Sequence, residues 1–237
     1  MKKPIQIAGW TLFFLLSAAI VRGDYVIRAI KIEYLPGAED ILWAKNIPGQ
    51  NLSNYQPVVA LNYFNDERGA GYNVGAVYSR SGKQVEALVA DEKPADILEK
   101  ALSRQLEKCG FQTIATMGWN FSQEAIPSYL QADFIIGGRI SAFWVESRAG
   151  LLNSTIDSRV GYDLIIADAR NKKIVWAGPV SSRETKKSLV HTNDYFWADI
   201  QSSINKSFTL AVNRAFQDNQ ARKAIINIIQ RNLSGSR

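Results

Sequence analysis

Apolar and polar positions alternate along much of the chain after Pro57, with the period of two that is typical of strands. Four early strands are predicted at residues 57–64, 74–79, 85–90 and 111–116. The turn residues Ser81, Gly82 and Lys83 separate the second strand from the third. This pair is therefore predicted to form an antiparallel hairpin.

A longer alternating run, DFIIGGRISAFWVESR, occupies residues 133–148. Residues 159–169 and 173–180 repeat the pattern, so the three segments are predicted to form an antiparallel meander with a polar loop at 149–158. The even positions of the first segment are apolar and are predicted to face the core: Phe134, Ile136, Ile140, Ala142 and Trp144. Gly137 and Gly138 are predicted to let a neighbouring element pack closely rather than to hold a phosphate.

The apolar period changes from two to 3.6 in three places, which predicts helices. Residues 94–109 begin with Pro94 and are followed by Gly110, and their leucines and Cys109 form one stripe. Residues 194–218 are predicted to form the longest helix. Residues 122–132 are predicted to form a short helix that is interrupted at Pro127.

The predicted element order is βββ-α-β-α-βββ-α. The predicted strands are interleaved with three helices, and most neighbouring strands are predicted to be antiparallel. This arrangement indicates an α+β fold with a mostly antiparallel sheet and the helices packed on one face. A chain of 237 residues that is 46% hydrophobic is long enough for one domain with a substantial core.

The N-terminus resembles an export signal. Two lysines precede an apolar run from Ile5 to Ile20, and small residues follow at positions where a signal peptidase cuts. Residues 1–23 are therefore predicted to be a signal peptide, with a short uncleaved anchor as the alternative. Residues 24–56 are predicted to be an extended leader rich in Pro, Gly and Asn, and residues 57–218 the compact domain.

The basic residues lie mainly at the two ends of the chain. The formal charge of +6 falls to about −1 for residues 24–218 once the termini are set aside, so no nucleic-acid footprint is predicted on the fold. Residues 219–237 carry four basic residues and no acidic one. They are predicted to form a basic amphipathic tail, either solvated or lying on anionic lipid or in a groove of a partner.

No catalytic constellation stands out in the sequence. His191 is the only histidine, no Gly-x-Ser-x-Gly elbow occurs, and Cys109 is the only cysteine. The glycines at 69, 71 and 75 lead into a strand rather than a helix, which favours a loop over a dinucleotide site. No cofactor and no metal site are predicted. A carboxylate pair drawn from Asp66, Glu67, Glu146 and Asp163 remains as an alternative, hydrolytic hypothesis.

Two blocks of the chain, residues 58–114 and 132–180, resemble the YajG-like family of bacterial cell-envelope lipoproteins. The resemblance rests on Asp66-x-Arg68, the Val74-Gly75 strand, Gly110-Phe111, Ala132-Asp133 before an Ile-x-Gly-x-Ile strand, and Lys173-x-x-Trp176. The resemblance implies an exported α+β domain that is anchored in the outer membrane by a lipid. It also implies that the domain has no established catalytic residues. The chain departs from the family by carrying Asp24 where the lipid-accepting cysteine is expected.

The function predicted from these features is that of a non-enzymatic periplasmic module that helps to assemble a larger envelope complex. Envelope proteins are the expected partners, and the C-terminal helix is a candidate for contact with the membrane surface. A membrane-tethered module is a further alternative. The candidate interaction residues are four basic residues and one tryptophan: Trp43, Arg139, Arg222, Lys223 and Arg231.

Overall fold

A computed structural model of the chain describes residues 25–37, 55–188 and 193–234. Nine strands and three helices lie within these ranges. The strands are β1 (Val26–Ile30), β2 (Val58–Asn62), β3 (Asn65–Asp66), β4 (Asn73–Tyr78), β5 (Gln84–Ala90), β6 (Gln112–Thr116), β7 (Phe134–Ala149), β8 (Ser154–Asp168) and β9 (Lys173–Ser188). The helices are α1 (Pro94–Lys108), α2 (Asn193–Ala215) and α3 (Asn219–Ser234).

The long strand β7 organises the sheet. Along one edge it pairs antiparallel with β8, which pairs with β9, and this confirms the predicted meander. Along its other edge β7 pairs in turn with β2, β3 and β4, all of them parallel. Strand β6 lies outside β2, while β5 and then β1 lie outside β4.

The sheet is therefore mixed, and the prediction of a mostly antiparallel sheet holds only in part. Five of the eight strand pairings are parallel, and the hairpin β4–β5 and the two pairs of the meander are antiparallel. Alternation along a strand records which side chains are buried but carries no information about the direction of a distant neighbour. The α+β class itself is confirmed.

The three helices contribute to one hydrophobic core on one face of the sheet. Leu102 of α1, Ile204 of α2 and Ile228 of α3 are fully or almost fully buried in the same cluster as Phe134 and Ile136 of β7. Helix α1 has Pro94 in its first turn and ends as predicted before Gly110, whose φ of +90° is a conformation that glycine adopts without a steric penalty. The helices predicted at 94–109 and 194–218 are thus present with small shifts of their ends.

A loop replaces the helix predicted at residues 122–132. Gly118 and Phe121 have φ values of +91° and +68°, and Pro127 lacks the backbone donor that a helix interior needs. The loop packs over the opposite face of the sheet and forms a second, smaller apolar cluster with Ile135 and Ala167. Trp119 lies inside this cluster, 3% exposed, and its indole N–H donates to the carbonyl of Ser122 at 2.8 Å.

Residues 25–37 belong to the folded body, although residues 24–56 are predicted to be a leader. Strand β1 pairs parallel with β5, and Ile30, Ile32 and Tyr34 are buried in the main core. The stretch after β1 runs along α2, where the amide of Glu33 donates to Asn205 at 3.0 Å. The folded body therefore starts well before Pro57.

Helix α3 is part of the same body rather than a detached tail. Ala221, Ile225, Ile228 and Ile229 are buried, so the apolar side of the amphipathic pattern faces the core and not a lipid surface. Within the helices that the structure describes, none is both long and apolar enough to span a membrane.

Candidate binding groove on the open face of the sheet

A bulge in β7 decides which residues face outward. The register between β7 and β8 shifts between Ile140 and Ala142, so Ser141 is an extra residue on β7. Before the bulge even-numbered side chains such as Ile136 face the helices, whereas after it the buried side chains are odd-numbered, as in Phe143 and Val145. Trp144, which the alternation predicts to be in the core, therefore lies half-buried on the opposite face.

Trp144 lines a groove of about 450 Å³ on this face. The loop at 117–132 covers the other half of the same face, over Ile135 and Ala167, and leaves this half open. The lining residues come from the loop before β4, from the second half of β7 and from the first half of β8: Arg68, Ala70, Ser141, Ala142, Phe143, Trp144, Glu146, Asp157 and Arg159.

Arg68 forms one wall of the groove, and its side chain is only 6% exposed. Its guanidinium donates two hydrogen bonds to the carboxylate of Asp66, at 2.7 and 2.8 Å, and one to the carbonyl of Phe143 at 2.8 Å. Two further carbonyls, those of Gly71 and Asn73, accept hydrogen bonds from it. The Asp-x-Arg pattern thus clamps the loop before β4 onto β7.

The charge of Arg68 also acts on Asp66. Partial burial alone would raise the pKa of the Asp66 carboxyl, but the hydrogen bonds and charge of Arg68 outweigh it and hold this pKa below its usual value of 3.8. Asp66 is therefore a fixed anion at neutral pH, which suits an ion pair and not a proton donor.

Two carboxylates lie directly opposite each other at the centre of the groove. Glu146 of β7 and Asp157 of β8 are cross-strand partners. Asp157 accepts two hydrogen bonds from Arg183 of β9, at 2.7 and 2.9 Å, and Arg159 is 4.0 Å away. Burial raises the pKa of Asp157, but the hydrogen bonds from Arg183 and Thr185 and the nearby arginines reverse the shift and lower it.

The four carboxylates of the hydrolytic hypothesis do not form a cluster of free acids. Asp66 pairs with Arg68, Glu67 with Arg139 at 3.5 Å, and Glu146 with Arg148 at 3.1 Å. Asp163 is exposed on β8, opposite Arg139. Across the described ranges, no group of three or more His, Cys, Asp or Glu side chains is arranged to hold a metal ion.

The structure does not bring the predicted interaction residues together. Arg139 lies on β7, where its guanidinium is 5.6 Å from the ring centre of Phe121. The other three described residues lie on α3, where Lys223 is exposed and Arg222 donates to the carbonyl of Phe216. Trp43 and His191 lie outside the described residues.

Arg231 has a structural partner. It donates to the carboxylate of Asp168, which is 1% exposed at the end of β8. The next residue, Asn232, donates at 2.9 Å to Asp133, which is 3% exposed and lies just before β7. These contacts tie the end of α3 to the base of the β7–β8 hairpin, so Arg231 is a latch of the fold.

The groove residue Asp157 and its partner Arg183 escape the sequence reasoning, because residues 149–158 are predicted to be a loop and the last predicted strand ends at residue 180, whereas β8 and β9 extend over both positions. The sequence nevertheless contains a pattern that predicts a strand at residues 155–159. Thr155, Asp157 and Arg159 alternate with buried Ile156 and Ser158, which is the pattern of a strand with one charged, solvent-facing side.

The fold and the groove together define an α+β protein with an open, charged face. No protein-family model matches the chain, and no curated protein matches it. Solved structures do resemble it. Protein XCC0632 from Xanthomonas campestris, of family DUF330, has a TM-score of 0.50 and 11% identity, covering 87% of this chain and 99% of its own.

Two further structures are more distant. Lipoprotein GNA1162 from Neisseria meningitidis has a TM-score of 0.33 and 14% identity over 63% of this chain and 96% of its own. The PelC dodecamer from Paraburkholderia phytofirmans has a TM-score of 0.32 and 13% identity over 66% of this chain and 87% of its own. At such identities the likeness to XCC0632 establishes the fold alone, and the YajG-like resemblance stays a prediction.

Proposed function

We propose that the protein is a non-enzymatic module of the cell envelope that binds an acidic segment of a partner protein in the groove at Trp144. The observation that carries the proposal is the outward placement of Trp144 by the bulge at Ser141. A half-buried tryptophan beside arginines is the kind of anchor that dominates protein interfaces.

The charges of the open face favour an acidic partner. Arg148, Arg159 and Arg183 are each more than half exposed, whereas Glu146 and Asp157 are largely covered, at 26% and 15%. An approaching segment therefore meets mainly guanidinium groups, which bind carboxylates through paired hydrogen bonds.

Binding fits this site better than acid–base catalysis. A hydrolytic carboxylate pair needs one carboxyl whose pKa is raised so that it can donate a proton. In the groove the pKa of Asp157 is lowered instead, and Glu146 is held by Arg148.

A periplasmic site of action completes the proposal. It rests on the basic start and apolar run of residues 1–23. The partner is accordingly expected among envelope proteins.

The test is site-specific photocrosslinking in cells that make the full chain. A photoreactive phenylalanine derivative, which keeps an aromatic ring in the groove, replaces Trp144 in one variant and Tyr129, an exposed residue of the loop at 117–132, in the control. One defined envelope protein is expected to crosslink at position 144 and not at position 129. Trp144→Ala is expected to weaken the complex by about 2 kcal/mol, roughly 30-fold, because a buried aromatic anchor is lost.

Charge reversal separates specific binding from surface contact. Arg159→Glu together with Arg183→Glu is expected to abolish the adduct, whereas Lys223→Glu, which alters an exposed cation on α3, is expected to leave it unchanged. No adduct at position 144, or one that survives the arginine changes, would contradict the proposal.

A further inference from the structure

Several chain segments come together at one end of the sheet, here called the hairpin end. Strands β4 and β7 run in parallel towards it, with Tyr78 opposite Arg148, so the turns at 79–83 and 150–153 both lie there. Ser188, the last residue of β9, pairs with Ser154 beside the second turn. The hairpin end thus consists of the tips of two hairpins and the end of β9.

Helix α2 starts at the same end. Successive residues of α2 contact positions of the sheet that lie farther and farther from the hairpin end. Ser203 contacts Ser158, Ser207 contacts Ser182, and the carbonyl of Ala211 accepts a hydrogen bond from Tyr162. The helix therefore runs away from the hairpin end. Tyr195, in its first turn, lies at that end and is 70% exposed.

Two adjacent leucines form the tip of the β7–β8 hairpin. Leu151 is 69% exposed and Leu152 is 76% exposed. Isolated apolar residues on a surface are ordinary, but a leucine pair on a projecting turn, with an exposed tyrosine at the same end, matches the apolar side chains by which proteins enter a lipid interface.

Basic residues lie at the same end of the sheet as these apolar side chains. The turn at 79–83, the turn at 150–153 and residues 185–188 carry four basic residues and no acidic one. Lys186 contacts Asp199 of α2, while Arg80, Lys83 and Lys187 are exposed. Such a group of cations complements the phosphates of anionic lipid.

The start of β1 lies at the same end. Strand β1 is parallel to β5 and begins opposite Glu86, close to the turn at 79–83. Tyr25, the first residue that the structure describes, therefore lies at the hairpin end.

We infer that the hairpin end docks on the surface of an anionic phospholipid bilayer. Leu151 and Leu152 enter the interface, and Arg80 and Lys187 meet the lipid phosphates. The groove at Trp144 then stands beside the docked end, open to a partner. This inference concerns a different surface from the groove, so either can fail alone.

The test uses the full chain in vesicles of phosphatidylcholine and phosphatidylglycerol. In a Cys109→Ala background, Leu152→Cys carries an environment-sensitive fluorophore, and the vesicles contain lipids with a spin-label quencher on the acyl chain. The matched control is Tyr129→Cys, which is similarly exposed but lies near the start of β7, at the opposite end. Near-equal circular dichroism spectra of the two variants show that both are folded.

The label at position 152 is expected to lose more than about half of its fluorescence, as a group in the lipid interface does, while the label at 129 loses little. Equal quenching at both positions, or none at 152, overturns the inference. Disulfide crosslinking of Leu152→Cys between two chains, without quenching, also overturns it, because the leucines then cover a second copy.

A charge arm tests the role of the cations. Arg80→Gln with Lys187→Gln, or vesicles of phosphatidylcholine alone, are expected to reduce the quenching at position 152 by about twofold or more. Quenching that is unchanged in both conditions refutes the electrostatic part of the inference.

Discussion

Gly138 shows how closely two strands approach in the middle of the sheet. A Cβ atom at this position would lie 1.8 Å from the carbonyl oxygen of Asp163 on β8 and 3.0 Å from the ring of Phe64. The first distance is far inside the contact distance of two atoms, and a backbone carbonyl in a paired strand cannot move away. The double glycine in DFIIGGRISAFWVESR is thus a packing requirement, as its sequence context predicts.

Gly138→Ala is therefore expected to reduce the free energy of unfolding by more than about 3 kcal/mol or to prevent folding. Gly161→Ala on the neighbouring strand is the matched control, since its Cβ would meet no atom closer than 3.4 Å. The control is expected to change stability by about 1 kcal/mol at most. Urea unfolding followed by circular dichroism measures both values, and similar losses for the two variants would refute this account of Gly138.

Among the elements, α3 departs most from its sequence-based description. It is basic and amphipathic as predicted, but both of its sides are used within the fold. Its apolar side is buried, and the end of its polar side reaches the carboxylates of Asp133 and Asp168 through Asn232 and Arg231. A buried carboxylate that loses its cation is costly, which gives Arg231 a role in stability.

Arg231→Ala is expected to lower the free energy of unfolding by about 1–3 kcal/mol, below the cost for a fully buried pair because Arg231 is itself 50% exposed. Lys223→Ala removes an equal charge from an exposed site on the same helix and is expected to cost about 0.5 kcal/mol or less. Chemical denaturation of both variants measures the free energy of unfolding and distinguishes the loss of a specific contact from the loss of a positive charge alone. Equal effects would mean that the contact with Asp168 contributes little.

Local elements were predictable, and the arrangement that creates the groove was not. Helix α1 and the β4–β5 hairpin follow from periodicity, Pro94, Gly110 and the turn at Gly82, all within a few residues of each other. The bulge at Ser141 depends on how β7 pairs with a strand more than ten residues away, so alternation alone placed Trp144 in the core. Because local alternation does not report pairing between distant segments, the parallel partners of β7 and the inclusion of residues 25–37 in the fold were not predicted either.

For the whole molecule, the carboxylates link stability to pH. The pKa values of Asp66 and Asp157 are lower in the folded protein than their usual 3.8, because their arginine partners outweigh burial. A depressed carboxyl pKa contributes stability that is fully present above the unfolded-state pKa and is lost as pH falls through the folded-state pKa. Glu99 acts in the opposite sense, since burial raises its pKa.

The protein is accordingly expected to lose stability as the pH falls below about 4 and to change little between pH 6 and 7. Asp66→Asn is expected to be less stable than the parent at pH 6, and the difference is expected to shrink at pH 3, which lies below the ordinary pKa of 3.8, because the unfolded parent then binds a proton that favours the unfolded state. Urea midpoints at the two pH values measure this. A difference that is constant with pH would show that the charge of Asp66 is not what stabilises the clamp.

The single extra residue at Ser141 also has a consequence for comparing this chain with others. Deleting one residue there would leave nearly every amino acid identity intact, yet it would exchange inside for outside along the rest of β7. A homologue that matches well by residue identity but lacks that position would have no aromatic anchor on its open face. The presence or absence of a residue at position 141 in an alignment is therefore a better criterion than percentage identity for recognising relatives that have the groove as well as the fold.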